Sequence, residues 1–194
     1  MDLFGRGRDM PRTSIPKEKR QAIREARKLI KQAVDLNANE AETRRRVERI
    51  FEQVMGYDVF KHLSRERAVK GSAETEHVDF SIQLEPGVDA KPLVMVELKK
   101  VGSDLAKKHL KQVTSYAINA GCEWILLTNG REWRVYHVEF GQPPEIELLD
   151  SWNLLEDDIS DLVSKFDLIS FSSIRKNSLD KMWQRVKVFA PDQL

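Results

Sequence analysis

HVDFSIQLEPGVDAKPLVMVELKK, residues 77–100, decides the fold because two alternating apolar runs flank a turn. Pro86, Gly87 and Pro92 mark the turn, so the two runs predict antiparallel β-strands. Pairing about Val88 gathers the apolar side chains of both strands on one face. Those side chains are Val78, Phe80, Ile82, Val94, Val96 and Leu98. A slip of one residue would bury charge among them, and the sequence therefore predicts this register.

The same register sets two acidic side chains against each other on the opposite face. Asp79 faces Glu97, and directly opposed residues have Cβ atoms roughly 5 Å apart. Two like charges so placed repel, whereas a divalent cation between them would use both as ligands. Carboxylate oxygens suit Mg²⁺, and Mn²⁺ is also an option. Lys99 points to the same side as Glu97, where its ammonium could offset negative charge growing on a phosphate. Alternatively, the three side chains could be solvated at a sheet edge.

Helical patterns precede this hairpin. Residues 17–36 and 40–55 carry apolar side chains at helical spacing and predict two helices. Between them and the hairpin, VFKHL at 59–63 and RERAV at 65–69 predict two short strands.

A strand–helix–strand unit follows at residues 93–128. Ser103 is predicted to cap its helix, which ends at Gly121. Such a crossover predicts a parallel strand pair. An Asn-Gly turn and a strand at 134–140 come next, and the chain from Asp150 onward predicts two helices, around 155–165 and 178–189. The predicted class is therefore α/β, with a mixed central sheet flanked by helices.

Length and composition suit a soluble globular protein of 194 residues. We predict a flexible tail at 1–15, a domain at 16–150 and a helical extension at 151–194. The single cysteine, Cys122, excludes an internal disulfide. An apolar run long enough for a membrane span is absent, as is a signal peptide, so a cytoplasmic location is expected. The sequence contains no P-loop, and no nucleotide cofactor is expected.

Four segments, taken in order, resemble the PD-(D/E)xK nuclease superfamily. Within it they are most similar to the N-terminal endonuclease domain of type I restriction enzyme R subunits. The segments are NEAETRRRVERIFEQVMGYDV from residue 39, HVDFSI from 77, VELKK from 96 and KQVTSYAINAGCEWILLTNGREWRVY from 111. The motif's usual lead position is not kept, since His77-Val78 precede Asp79. The resemblance implies a restriction-endonuclease-like fold.

The resemblance also implies a Mg²⁺-dependent endonuclease that hydrolyses DNA phosphodiester bonds. Asp79 and Glu97 would be metal ligands, and Lys99 would be the catalytic lysine. An acid on the first family helix would complete the metal site; both Glu40 and Glu42 match, and Glu40 is preferred by its spacing from the Thr-Arg pair. Either acid could instead simply favour a helix N-terminus through the helix dipole.

Three further residues follow from the resemblance. Gln112 and Tyr116 would orient the lysine or contact the DNA backbone, although a tyrosine at a core margin is the ordinary alternative. Lys100, with neighbouring lysines, could contact phosphates or only improve solubility. DNA is the expected partner, and subunits of a restriction system are further candidates. Two other functions stay open: an inactive nucleic-acid-binding or assembly module on the same fold, and an RNA-directed or tRNA-repair nuclease.

Overall fold

The computed structural model describes residues 16–68, 77–86 and 91–189. The tail predicted for residues 1–15 and the centre of the hairpin turn lie outside the described residues. No helix within the described ranges is long and apolar enough to cross a membrane.

The described chain forms seven helices and six strands. The helices are α1 (Lys17–Asp35), α2 (Glu40–Gln53), α3 (Val59–His62), α4 (Lys107–Asn119), α5 (Ile159–Leu168), α6 (Phe171–Ile174) and α7 (Ser178–Phe189). The strands are β1 (Leu63–Ala68), β2 (His77–Ile82), β3 (Val94–Leu98), β4 (Trp124–Thr128), β5 (Glu132–Glu139) and β6 (Glu145–Asn153).

All six strands belong to one sheet, in the order β1-β2-β3-β4-β5-β6. Only β3 and β4 are parallel among these neighbours; the other pairs are antiparallel. The hairpin register is the predicted one, with Phe80 opposite Val96 and Ser81 opposite Met95. The mixed sheet, the parallel crossover and the hairpin register are thus confirmed.

Two of the local predictions ahead of β4 are wrong. Val59–His62 is a helical turn rather than a strand, because the Asp58 carboxylate accepts hydrogen bonds from the backbone N–H groups of Phe60 and Lys61. Helix α4 begins at Lys107 and not at Ser103. The backbone carbonyl of Ser103 instead accepts a hydrogen bond from the Asn129 side chain at 2.8 Å, which ties this loop to the turn after β4.

Strand β6 was not predicted, and it runs into the segment that was predicted to be helical. It pairs with β5 at the sheet edge and continues through residue 150 to Asn153. Most of its side chains are exposed or half-buried, so it lacks the clear alternation of the inner strands. Helix α5 consequently starts at Ile159, later than predicted, whereas α7 matches its prediction at residues 178–189.

Two apolar clusters fill the two faces of the sheet. On one face, helices α1, α2 and α5 pack against the strands around the fully buried Trp133, which stacks on Trp152 at 6.1 Å. On the other face, α4 covers Met95, Ile125 and neighbouring side chains. Since side chains alternate along a strand, Asp79 and Glu97 belong to the face that α4 covers.

Candidate active site

Two buried carboxylates lie where β2 begins and β3 ends. Asp79 is 8% exposed and Glu97 is 2% exposed. Continuing the observed β2–β3 register by one residue beyond Phe80 and Val96 sets them opposite each other. Buried acidic side chains are rare without partners or function, so their partners decide what the site can do.

Asp79 is held by two different donors. Its Oδ2 accepts a hydrogen bond from the backbone N–H of Leu98 at 2.7 Å, which fixes the carboxylate to the neighbouring strand. Its Oδ1 forms an ion pair with Nη2 of Arg44, a residue of α2. The hairpin and the second helix are therefore joined at Asp79.

Glu97 is paired with the lysine two residues later. Lys99 Nζ lies 2.6 Å from Glu97 Oε1, and the backbone N–H of Lys99 donates to Thr128 O at 2.9 Å, which anchors it to β4. Glu97 Oε2 is buried and has no hydrogen-bond partner among the described residues. Burial raises the pKa of Glu97 to about 7 against the lowering effect of Lys99, and the charges of Asp79 and Glu40 add to the rise.

The Lys99 ammonium stays firmly protonated. Burial alone would lower the pKa of Lys99, but its hydrogen bond to Glu97 and the surrounding negative charges of Glu97, Glu40 and Asp79 raise it overall. A fixed positive charge therefore lies beside the two acids.

The start of α2 distinguishes the two candidate acids on that helix. Asn39 and Glu42 form a capping box: the Asn39 side chain accepts from Glu42 N at 2.9 Å, and Asn39 N donates to Glu42 Oε2 at 3.3 Å. Glu42 is thus engaged in capping the helix. Glu40 is exposed, and its negative charge raises the pKa of both Glu97 and Lys99, so it lies near the site.

Buried Thr43 docks this end of α2 beside the site. Its hydroxyl accepts a hydrogen bond from Val101 N at 3.1 Å and donates to Asn39 O at 2.8 Å. Gly130, with φ +85°, packs against α1 and α2: a Cβ there would lie 2.9 Å from Ile30 Cδ1. These contacts bring the acid and the arginine of α2 to the ends of β2 and β3.

The remaining sequence-predicted residues lie on or near α4. Tyr116 is buried in the smaller core cluster, and exposed Gln112 donates from Nε2 to its hydroxyl at 3.4 Å. Lys100 is exposed directly after Lys99. His109, which we did not predict, has its pKa lowered by burial and then by the charge of Lys99, so it lies near that ammonium.

Arg44 is the other site residue that sequence reasoning missed. Its only signal is its spacing: it lies four residues after Glu40, so both side chains project from one helix face. Because residues 44–46 are all arginine, the sequence does not indicate which of the three side chains turns toward the sheet.

The donor chemistry of this site fits a hard divalent cation. Two buried carboxylates, a third acid nearby and the unpartnered Glu97 Oε2 supply oxygen ligands. The predicted ligands Asp79, Glu97 and Glu40 share one neighbourhood, but their oxygens do not all lie within 4.8 Å of one another. Among the described residues, the acidic trio that does meet this spacing lies elsewhere, on β5 and β6, and all three of its members are exposed: Glu139, Glu145 and Glu147.

Comparison with known proteins identifies relatives of this fold. A family model described as the N terminus of the type I restriction enzyme R protein matches residues 39–151, more than half of the chain and all of the site. No curated protein sequence gives a significant match. A chain of the cryo-EM structure of a DrdV–DNA complex superposes with a TM-score of 0.51 at 14% identity, covering 78% of this chain and 99% of that chain. At this identity the similarity concerns the fold.

Proposed function

Because the chain belongs to the family of type I restriction enzyme R protein N termini, we propose that it is a metal-dependent endodeoxyribonuclease domain. One observation carries the proposal: buried Asp79 and Glu97 adjoin on neighbouring strands, with the Lys99 ammonium 2.6 Å from Glu97. A stable fold has no need of two buried acids at one sheet end, since apolar residues would cost less.

Asp79 and Glu97, with Glu40 as the third candidate, would hold Mg²⁺ or Mn²⁺. Such an ion, when bound, lowers the pKa of a coordinated water and offsets charge on a phosphate. The Asp79 carboxylate is oriented for this role by Leu98 N. Glu97 offers its unpartnered Oε2.

Lys99 would act on the phosphodiester itself. Its ammonium is half-buried, is held in place from β4 and carries a pKa raised above its ordinary value, so it remains charged at neutral pH. A fixed cation next to the scissile phosphate stabilises the negative charge that develops as water attacks phosphorus. Without a metal ion, burial raises the pKa of Glu97 to about 7, so this carboxyl group is only partly ionised at neutral pH.

DNA is the proposed substrate. The structural neighbour is a DrdV–DNA complex, and the matched family is that of a restriction enzyme. Lys100, which is exposed directly after Lys99, and Gln112, which is exposed on α4, would contact the phosphate backbone. Contacts to the phosphate backbone carry no sequence information, so they support DNA binding without a particular recognition sequence.

Cleavage of supercoiled plasmid with Mg²⁺ tests the proposal. We expect Asp79→Asn, Glu97→Gln and Lys99→Met to lose activity by at least about a hundredfold, given the usual size of such electrostatic contributions. Lys181→Met, which removes an exposed lysine from α7, is the matched control and should cut normally. Equal cutting by Lys99→Met and the control would refute the mechanism.

An inactive DNA-binding module is the second candidate. It is favoured by one observation: Asp79 and Glu97 are each already paired with a cationic side chain of the protein itself. DNA binding measured with Mg²⁺ and with EDTA separates the two functions. Binding that ignores the metal, survives Asp79→Asn and is accompanied by no cleavage supports the module.

A further inference from the structure

Both oxygens of Asp79 are committed to donors of very different kinds. The backbone N–H of Leu98 holds Oδ2 and is part of a strand, so it cannot move away without disturbing the sheet. Arg44 holds Oδ1 from the end of a long side chain. Oδ1, whose donor is a movable side chain, is therefore the oxygen of Asp79 that is more readily freed for a cation.

The contact of Arg44 with Asp79 is suited to exchange. The ion pair runs through Nη2, while Nε of the same guanidinium is buried without a hydrogen-bond partner among the described residues. A guanidinium that makes one hydrogen bond to a carboxylate is held less tightly than one that makes two parallel hydrogen bonds to it. The Arg44 side chain is 27% exposed, against 9% for Asp79, so it has a direct way out to solvent.

The balance of charges around the site also supports exchange of the Arg44 contact for a cation. Three acids, Asp79, Glu97 and Glu40, face two bases, Arg44 and Lys99. Lys99 leaves Glu97 Oε2 open, so it does not block that ligand. Arg44 is thus the basic side chain that stands between Asp79 and a cation.

We propose that the Arg44 guanidinium and a divalent cation compete for Asp79 Oδ1, so that Arg44 sets the cation affinity of the site. This inference rests on the proposed function, because it assumes that Asp79 is a metal ligand. Arg44 is thus a positioning residue that acts through Asp79. Its guanidinium neutralises the buried Asp79 carboxylate when no metal is bound, and a bound cation displaces it from Oδ1. The cation then binds more weakly than the acids alone would allow.

Calorimetric titration with Mn²⁺, without DNA, tests the competition. We expect Arg44→Met to bind Mn²⁺ about tenfold or more tightly than the wild type, because a unit positive charge beside the site is removed. Arg44→Lys keeps that charge and should stay near the wild-type affinity. Arg45→Met removes the same charge from the adjacent, exposed position on α2 and should change the affinity by less than about twofold.

Each outcome separates the two proposals. If Asp79→Asn abolishes Mn²⁺ binding but Arg44→Met binds no more tightly than Arg45→Met, the competition is refuted and the metal site stands. If neither the wild type nor Arg44→Met binds Mn²⁺, both proposals fail.

A second test follows Arg44 in the wild-type protein and needs a variant only to assign the signal. The Arg44 guanidinium resonance, assigned by its loss in Arg44→Lys, should shift when diamagnetic Mg²⁺ is added. An unmoved Arg44 resonance in Mg²⁺-saturated protein would overturn the competition.

Discussion

Glu97→Gln should make the protein less active but more stable at alkaline pH. The pKa of Glu97 is about 7 in the folded protein, against an ordinary value of 4.5. The folded state therefore holds this proton more tightly than the unfolded state, and ionising Glu97 destabilises the fold as pH rises between the two values. Since each pKa unit is worth about 1.4 kcal/mol, the full effect is about 3 kcal/mol. Glutamine keeps the shape and avoids the charge.

Urea unfolding in EDTA measures this effect. The free energy of unfolding is determined for wild type and variant from about pH 4.5 to about pH 8. We expect the variant-minus-wild-type difference to rise by about 3 kcal/mol across this range in favour of glutamine. Taking the difference cancels the titration of the groups that the substitution leaves unchanged. The amide oxygen of the introduced glutamine can still accept from Lys99, which limits the loss at that neighbour.

Glu52→Gln is the matched control, because it removes an exposed carboxylate from α2. Its difference from wild type should stay within about 0.5 kcal/mol over the same range. If the Glu97→Gln difference is equally flat, Glu97 is not a buried, destabilised acid, and the electrostatic account of the site is wrong.

Four other substitutions probe how α2 and its packing serve the site. Glu40→Gln should slow plasmid cleavage, whereas Glu42→Gln should not, because glutamine also completes a capping box; initial rates distinguish them. Thr43→Val should lower the free energy of unfolding by about 1–3 kcal/mol, since a buried backbone N–H loses its acceptor; urea titration measures this. Gly130→Ala should cost a similar amount, about 1–3 kcal/mol, because φ is +85° and the new methyl group would meet an α1 side chain at 2.9 Å; its thermal midpoint should fall.

Much of the fold could be predicted from the sequence because the inner strands are strongly patterned. In the β2–β3 hairpin one register alone separates apolar from charged side chains, and the structure adopts it. The edge strand β6 escaped prediction because an exposed edge needs no alternation. The turn at Val59–His62 escaped because Asp58, a local cap, outweighs the β-propensity of Val and Phe.

The site was only partly predictable. A strand register determines which side chains oppose each other, so the neighbourhood of Asp79 and Glu97 follows from sequence. The contact of Arg44 with Asp79 does not follow from sequence, because it depends on the angle at which α2 docks. Packing against residues far along the chain sets that angle. Thr43 and Gly130 are buried parts of that packing, and neither carries a sequence signal for chemistry.

The docking of α2 therefore links the stability of the domain to its proposed chemistry. The helix supplies Glu40, which raises the negative charge of the site, and Arg44, which lowers it. The two lie one turn apart, so a small rotation of α2 would move both relative to Asp79. A buried pair of acids is tolerable only while cationic side chains such as Arg44 are paired with it. In the proposed competition Arg44 also weakens cation binding at Asp79, so α2 would balance the stability of the fold against the metal affinity of the site.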